Sequence, residues 1–488
     1  MSKSAILLVA ASFICATMTV STANLAADDI YVSTSASASN DNPGTSAWPL
    51  STIAEAISRS QPGDTVVVVG GNYQTEDSGF GTGVIPVISK IGTATNPIRV
   101  TGLNSPSVGS FLVHSCRHVQ VSGFQVIGSD YFADVNWQSM PTIVRDIPAD
   151  PDAPIDFTRP YSERQIQIEA AFATYFSVVE DLNFSSGIDV MASSFIRVED
   201  NEVTGFWAGI QCRGASDVVI RNNTIRHTVN GIFTWVPAPG LTNGLIINND
   251  ISQSLDTGIF VRQESENVSV INNRVQFTGR NHIAINEGSH NCLVRRNNVR
   301  FGGYYTETMQ FPGSSAISLN DAGASNRVID NSASFQTDLT GIDGNGIILD
   351  LSRPEACTAV FGNWSFLNMG SGMNLTNSPN SKIVSNFFVN NGFNSTARRN
   401  GAGIKLSRTG DINNYIVNNL FFRNRDAGIL SEDTLAEQAI VDDNFYVTPA
   451  GVPLAWDSFF DGVSTYETLE ELQMATDWEL NGTALIVD

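Results

Sequence analysis

The chain alternates short apolar and polar positions over most of its length, and from about residue 185 this alternation falls into repeating units. Each unit opens with a Gly-Ile dipeptide or a close variant, at intervals of 22 to 34 residues. Short Val- and Ile-rich strands with no helical pattern between them predict stacked coils and argue against β-α-β crossovers. The dipeptides are Gly187-Ile188, Gly209-Ile210, Gly231-Ile232, Gly258-Ile259, His282-Ile283, Ala316-Ile317, Gly346-Ile347, Gly372-Met373, Gly403-Ile404 and Gly428-Ile429.

A second series, made of asparagines, follows the second strand of each unit. Asparagine tolerates the left-handed backbone conformation at a bend, and stacked Asn side chains can hydrogen-bond along the axis of a stack. Two series in register predict an all-β fold, a single parallel β-helix (solenoid) in which each unit is one coil. The predicted ladder consists of Asn201, Asn223, Asn249, Asn273, Asn298, Asn331, Asn363, Asn386, Asn419 and Asn444.

The two ends of the chain differ from the repeats. Residues 1–27 read Met-Ser-Lys, an apolar run and then small residues, which is typical of a cleavable signal peptide, so we expect a secreted or periplasmic protein. Residues 28–450 form the predicted β-helix, whose N-terminal capping helix starts at the Thr52-x-x-Glu55 capping box. Residues 451–488 form a predicted C-terminal cap with a short helix.

The overall charge restricts the possible partners. The chain has 49 acidic and 27 basic residues and a formal net charge of −22, so nucleic acids and anionic membranes are repelled. An anionic polysaccharide would need a metal ion or a local group of Arg and Lys to reverse this field. The four cysteines after the signal show no C-x-x-C spacing, which argues against a disulfide framework and against a zinc site.

Alternation along each Gly-Ile strand sends the residues two and four positions after the glycine outward. These positions mix aromatic rings, guanidinium groups, amides and carboxylates, a mixture that suits a sugar chain. We therefore predict Trp235, Arg262, Asn320 and Asn374 as substrate-binding residues. Three long segments are candidates for the walls of a groove on this face: Tyr131 to Gln165, Phe301 to Ser315, and Phe393 to Ala402.

Several short motifs resemble known secreted enzymes. The segments 30–32, 52–56, 62–65 and 71–73, together with the two ladders, resemble the pectate-lyase-like right-handed parallel β-helix superfamily over nearly the whole mature chain. The segment Asn400 to Leu406 is similar to the Gly-x-Gly-Phe-Lys-Leu segment of family 9 polysaccharide lyases. That resemblance implies Lys405 as the catalytic base.

The same family resemblance implies a calcium site. Asp343-Gly344-Asn345-Gly346-Ile347 is similar to the family's Asp-rich calcium segment, although the consecutive Asp pair is missing and an extra coil around Gly372 separates the two motifs. It implies Asp343 and Asp350 as metal ligands and calcium as the cofactor. The Asp-Pro-His-Glu sequence of mannuronan epimerases is absent.

The chemistry of a polysaccharide lyase agrees with these assignments. β-Elimination in a uronate chain removes the proton at C5 while a cation neutralises the adjacent carboxylate. We predict Lys405 and Asp350 as catalytic residues acting on an acidic extracellular polysaccharide, with a monomeric protein. The positive field would come from Arg398, Arg399 and Arg408, with Arg353 nearby.

Two other functions stay open. A glycoside hydrolase would use a pair of carboxylates, for which Asp321, Asp350, Glu287 and Glu432 are available. A non-catalytic carbohydrate-binding surface protein would present aromatic residues without a perturbed ionisable group. Lys405 has a structural alternative as well, an ion pair with Glu432 on the adjacent coil.

Overall fold

The computed structural model describes most of the chain that follows the predicted signal. The described residues are 27–128, 185–303, 313–338, 343–353, 355–393, 401–407, 410–432, 439–457, 464–476 and 478–487. Within them the chain forms 41 strands, numbered here along the sequence, and two helices. The strands build three parallel sheets that run the length of a helical stack, one strand of each sheet in a typical coil.

Sheet 1 contains the strand that precedes the asparagine position in each coil, and its neighbours pair in parallel. Its strands are β1 Asp29–Val32, β2 Thr65–Val69, β4 Ile98–Leu103, β7 Arg117–Ser122, β10 Ser194–Glu199, β12 Ala215–Ser216, β13 Val219–Arg221, β15 Leu241–Thr242, β16 Leu245–Ile247, β19 Ser269–Ile271, β22 Leu293–Arg295, β25 Arg327–Ile329, β28 Ala359–Phe361, β31 Lys382–Val384, β34 Asn414–Val417 and β37 Ala439–Asp442.

Sheet 2 follows the asparagine bend. Two long strands, β11 Glu202–Arg213 and β14 Thr224–Trp235, run through the next corner and belong to both sheet 2 and sheet 3. The other strands of sheet 2 are β5 Ser107–Val108, β8 Gln125–Ile127, β17 Asp250–Ser254, β20 Arg274–Thr278, β23 Asn298–Gly302, β26 Ser332–Gln336, β29 Trp364–Phe366, β32 Phe387–Val389, β35 Leu420–Phe422, β38 Phe445–Pro449 and β41 Thr483–Val487.

Sheet 3 contains the strands of the Gly-Ile series. β40 Ser464–Tyr466 pairs antiparallel with its last strand. The other strands of sheet 3 are β3 Val84–Ile88, β6 Ser110–His114, β9 Ser186–Met191, β18 Ile259–Val261, β21 Ile283–Asn286, β24 Ser315–Asn320, β27 Asn345–Asp350, β30 Met373–Thr376, β33 Ala402–Leu406, β36 Ala427–Ser431 and β39 Ala455–Asp457.

The apolar residues of the Gly-Ile series fill the interior of the stack. Ile210 pairs in register with Ile232, the same position continues through the following coils, and these side chains are buried. Strands of this kind bury their inward residues against the coils above and below, about 4.8 Å away. The predicted all-β parallel β-helix is therefore confirmed.

The asparagine ladder is present with one correction. At each bend the left-handed residue comes first and the buried ladder residue second, as in Asp330 (φ 57°) followed by Asn331. The Asn331 Nδ2 donates to Asn363 Oδ1 at 3.0 Å and to the carbonyl of Val294 at 2.9 Å. The prediction of Asn298 was wrong, because Arg296 takes the left-handed conformation and Asn297 therefore occupies the ladder position.

Both ends of the stack carry the predicted helices. Helix α1, Ile53–Arg59, has Thr52 as its N-cap, whose hydroxyl accepts from the Glu55 N–H. The capping box is not reciprocal, because the Thr52 N–H donates to Asn40 and the Ile53 and Ala54 N–H groups donate to the Glu76 carboxylate. Helix α2, Leu469–Thr476, begins with a reciprocal capping box. The chain then places Glu479 against the last ladder asparagine, which ends the ladder in a carboxylate.

The long connections share one place in the order of the strands. The three segments predicted as groove walls, and also residues 339–342, all join a strand of sheet 2 to the next strand of sheet 3. Most of their residues lie outside the described part of the chain, so their role as groove walls stays a prediction. Within the described residues, no helix has the length and apolar character that crossing a membrane requires.

Candidate active site on sheet 3

Two rows of residues point outward from sheet 3 and form what we call the site face. Pairing confirms the predicted register from coil to coil, for example Asn286 with Asn320 and Asn320 with Asp350. The first row holds Asp189, Gln211, Phe233, Phe260, Ala284, Ser318, Ile348, Asn374, Lys405, Leu430 and Trp456. The second row holds Met191, Arg213, Trp235, Arg262, Asn286, Asn320, Asp350, Thr376, Ser407 and Glu432.

Much of the first row is covered, in contrast to the expectation of solvated positions. Phe233, Ile348, Asn374 and Leu430 are buried although they face away from the core. Alternation gives the direction of a side chain, but the bulk of its neighbours decides whether water reaches it. The groups available to a ligand therefore lie mainly in the second row and at its edges.

The aromatic end of the site face consists of Phe233, Trp235, Phe260 and Arg262. The Arg262 guanidinium carbon lies 4.7 Å from the centroid of the Trp235 ring and 5.1 Å from that of Phe260, both within the range of cation–π attraction. Its Nε donates to Glu287 Oε2 at 2.9 Å. The predicted substrate-binding residues Trp235 and Arg262 therefore lie together, and the cation is already neutralised by a carboxylate.

A cleft next to this end lies across β3, β6, β9, β11 and β14. Trp235 contributes to its lining together with Ser186, Gln211 and an ion pair between Asp189 and Arg213. Burial raises the pKa of Asp189, although the hydrogen bonds from Arg213 oppose this effect. Asp189 was missed in the sequence because its strand lies directly after a long segment without repeats, at the first recognisable Gly-Ile dipeptide.

The carboxylate end consists of Asp338, Asp343 and Asp350. The backbone N–H of Asp343 donates to Asp338 Oδ2 at 2.7 Å, and the Asn320 Nδ2 donates to Asp350 Oδ2 at 2.8 Å. Burial, and then the neighbouring charges of Asp338 and Asp350, raise the pKa of Asp343 to about 7. A carboxylic acid of this kind keeps a proton available at neutral pH.

Lys405 lies two coils from Asp350, as predicted, in the row that runs from Ile348 through Asn374. Its Nζ lies 2.9 Å from Glu432 Oε1, and the two side chains are 15% and 19% exposed. The Lys405 side chain is therefore engaged by a carboxylate of the next coil. The structural alternative proposed for Lys405 is therefore present, while its positive charge still lowers the pKa of Asp343.

Asn374 and Asn320 differ in how far they are available to a ligand. Asn374 is buried and its Oδ1 accepts from the Ser407 hydroxyl at 2.6 Å, so this predicted substrate-binding residue is engaged within the protein. Asn320 is only half-buried and holds the Asp350 carboxylate. The structure thus gives Asn320 a role in orienting a carboxylate.

The predicted arginine group is described only in part. Arg398, Arg399 and Arg408 lie outside the described residues. Arg353 is described, and its Nε lies 3.2 Å from Asp321 Oδ1. Asp321 is therefore an ion-pair partner at the edge of the face.

Calcium stays a prediction. Within the described residues, no three His, Cys, Asp or Glu side chains form a group suited to a metal ion, and Asp343 and Asp350 alone provide few of the six to eight oxygen ligands that calcium takes. The pKa of Asp343, raised to about 7, also opposes the ionised form that a metal ligand needs.

His282, which replaces the usual glycine at a strand start, is fully buried. Both ring nitrogens lie near Gln336 and the backbone of Arg300 and Phe301, without hydrogen bonds of ordinary geometry to the described residues. Burial lowers its pKa to about 4, so the ring is neutral at physiological pH. It lies inside the stack and does not reach the site face.

The fold and the site define the class of protein, a right-handed parallel β-helix with a polar and aromatic face along one sheet. Residues 186–355 match the family model described as the right-handed β-helix region. No curated protein sequence matches the chain.

Several solved structures are similar to the chain at low identity. The GH136 lacto-N-biosidase from Eubacterium ramulus is 14% identical, with a TM-score of 0.46, over 94% of this chain and 68% of that one. Pectate lyase Pel9A is 12% identical, with a TM-score of 0.44, over 86% and 79%. The catalytic domain of a GH87 alpha-1,3-glucanase is 11% identical, with a TM-score of 0.46, over 94% and 68%. These similarities concern the architecture of the chain.

Proposed function

We propose that the protein is a glycan-cleaving enzyme, a glycoside hydrolase whose catalytic centre is the carboxylate end of the site face. The observation that carries this proposal is the grouping of Asp338, Asp343 and Asp350 where the long connections enter sheet 3. A pair of carboxyl groups, one protonated and one ionised, is what glycoside hydrolysis requires.

The roles follow from the environment of each group. Asp343, kept protonated by burial and by its neighbours, donates a proton to the oxygen of the glycosidic bond. Asp350, oriented by the Asn320 amide, takes a proton from the water whose oxygen bonds to the anomeric carbon as the glycosidic bond breaks. Asp338 contributes a negative charge that holds the proton on Asp343.

The charges on the face support a neutral glycan as substrate. Each of the three described cations in its two rows already has a carboxylate: Arg213 pairs with Asp189, Arg262 with Glu287, and Lys405 with Glu432. The carboxylate end then adds further negative charge. A chain of uronates would meet repulsion here, whereas hydroxyl groups can bond to such paired ions without an electrostatic cost. The predicted secretion signal agrees with a polymer outside the cell.

A polysaccharide lyase is the second candidate, because Lys405 lies on the face in the position that the family resemblance implies. Lys405 is engaged in an ion pair with Glu432, which a substrate would have to displace. The carboxylate of a bound uronate could compete with Glu432 for Lys405. Calcium could supply the positive charge that β-elimination requires. The two candidates give different products and are therefore separable in one experiment.

The experiment measures reducing ends and absorbance near 235 nm on neutral and on anionic polysaccharides, with calcium and with chelator. We expect a neutral polymer to yield new reducing ends without a rise in absorbance at 235 nm. The rate of this reaction should fall by a factor of about 10² to 10³ in Asp343→Asn and in Asp350→Asn. Asp200→Asn, at an exposed bend on another face, is the matched control and keeps full activity.

Two outcomes would contradict the hydrolase. Calcium-dependent absorbance lost in Lys405→Ala would establish β-elimination and replace the hydrolase with the lyase. Full hydrolysis by both Asp343→Asn and Asp350→Asn would remove the carboxylate end as the catalytic centre.

A further inference from the structure

We propose that the cleft across β3, β6, β9, β11 and β14 is a distal binding site for a neutral glycan chain, which makes the enzyme selective for long chains. This inference rests on the proposed function, since the same chain would extend along the site face to the carboxylate end. It assigns to the cleft a role separate from bond cleavage.

The cleft has the chemical character of a sugar site. It has a volume of about 240 Å³, and its lining includes Trp235 and the buried Phe111 beside the polar groups of Ser186 and Gln211. The Arg262 guanidinium lies over the Trp235 ring and closes the aromatic end behind it. An aromatic wall with a few fixed polar groups is the usual composition of a carbohydrate pocket.

The polar groups of the cleft are held in place before any ligand binds. The Ser186 hydroxyl donates to Gln211 Oε1 at 2.6 Å, and the Arg213 Nε donates to Asp189 Oδ1 at 3.0 Å. The Asp189 side chain is only 13% exposed, so its charge is largely withdrawn from water. Because the ion pair has no net charge, the cleft fits hydroxyl groups better than a carboxylate or a phosphate.

The distance to the catalytic centre corresponds to a short stretch of glycan. Trp235 on β14 and Asp350 on β27 are separated by four strand-to-strand steps, through β18, β21 and β24. At ~4.8 Å for each step this is about 19 Å. One coil is close to the length of one sugar unit in a chain, so about four units bridge the two sites.

The surface between the two sites has an aromatic part and a polar part. Strand β18, next to Trp235, contributes Phe260 and Arg262. Strands β21 and β24 contribute the smaller side chains of Ala284, Ser318, Asn286 and Asn320. A chain that leaves the carboxylate end can therefore follow the face to the Trp235 ring.

The test compares short and long oligosaccharides of the neutral polymer that the enzyme cleaves. We expect Trp235→Leu, which keeps an apolar side chain but removes the ring, to lower kcat/KM about tenfold on eight-unit chains, the order of magnitude of one lost ring contact. Three-unit chains cannot reach the cleft and should be cleaved as by the wild type. Trp235→Phe keeps a ring and should recover most of the loss.

The matched control is Trp364→Leu, which removes an exposed tryptophan on sheet 2, far from the site face. An equal loss on three-unit and eight-unit chains, or no loss on eight-unit chains, would overturn the inference. If Trp235→Leu fails to fold, Gln211→Ala provides the same comparison from the polar side of the cleft.

A binding readout separates this inference from the proposed function. The migration of the wild type, Asp343→Asn and Trp235→Leu is compared in native gels with and without dextran, mixed-linkage β-glucan, galactomannan or xylan. Binding to the polymer retards the protein. Retardation that Asp343→Asn keeps and Trp235→Leu loses supports the cleft, even if the wild type cleaves none of these polymers. Equal retardation of all three proteins, or none of the wild type, would contradict it.

Discussion

The aromatic end and the carboxylate end of the site face lie on the same sheet, in the same register, but they balance charge in different ways. At the aromatic end Arg262 and Glu287 compensate each other, and the rings pack around the cation. At the carboxylate end burial and the charges of Asp338 and Asp350 raise the pKa of Asp343 to about 7. The repeated coil thus provides a regular spacing, and local charge decides which end can do acid chemistry.

The largest expected difference between the two ends is in catalysis. Asp343→Asn should lower kcat by about 10² to 10³, because a general acid contributes on this scale. Glu287→Gln should lower kcat/KM less than tenfold, since it removes only the partner of Arg262 at the binding end. Initial rates on the same neutral polymer measure both. Comparable losses in the two variants would show that the ends do not have separate roles.

The second prediction concerns the pH dependence of the carboxylate end. The acid must be protonated, so kcat/KM should fall as pH rises through the pKa of Asp343, about 7 in the free protein. Asp338→Asn removes one of the charges that raise this pKa, and the alkaline limb of the profile should move to lower pH. An unchanged limb would indicate that Asp343 is not the group that titrates. Glu287→Gln is the control, because Glu287 is not among the charges that shift Asp343.

The third prediction concerns Lys405, whose removal should shift the pH profile in the opposite direction. Its ammonium group lowers the pKa of Asp343, so Lys405→Met should move the alkaline limb to higher pH. A hydrolase should keep most of its maximal kcat in this variant, whereas a lyase that uses Lys405 as the base should lose nearly all activity at every pH. Full pH profiles of wild type and variant distinguish a shift from a loss.

Much of the fold could be predicted because the same residues recur in every coil. The Gly-Ile series and nearly all of the asparagine ladder were correct, and the one wrong member, Asn298, follows another asparagine, so composition alone could not show which of the two takes the ladder position. The register of the site face was also predictable, since alternation is strict within each strand.

The candidate site was harder to predict, because its decisive features depend on distances between separate segments. Asp338 lies at the end of one coil and Asp343 just before the next strand of sheet 3, and nothing in the repeat indicates that they meet. The burial of Asn374 and Phe233 depends on the size of neighbouring side chains. The sequence predicts the ion pair of Lys405 with Glu432 only as an alternative, because a lysine on one strand can reach several residues of the adjacent coils.

The smallest expected effect concerns His282, which lies in the coil of β21 between the two ends and whose pKa is lowered chiefly by burial. The folded protein holds this ring neutral down to a pH of about 4, while an unfolded chain binds the proton near pH 6.5. In the interval between these values the unfolded state carries more protons, so the free energy of unfolding falls as the pH is lowered from 6.5 towards 4. Above pH 6.5 this contribution is fully present.

His282→Gln removes the titrating ring and should make the denaturant midpoint less dependent on pH in this interval, at the cost of some stability at pH 7. Guanidinium unfolding at several pH values measures both quantities. His290→Gln, at a more exposed histidine beside Glu266, is the control and should keep the wild-type slope. If His282→Gln keeps that slope too, the acid sensitivity of the fold comes from the carboxylates.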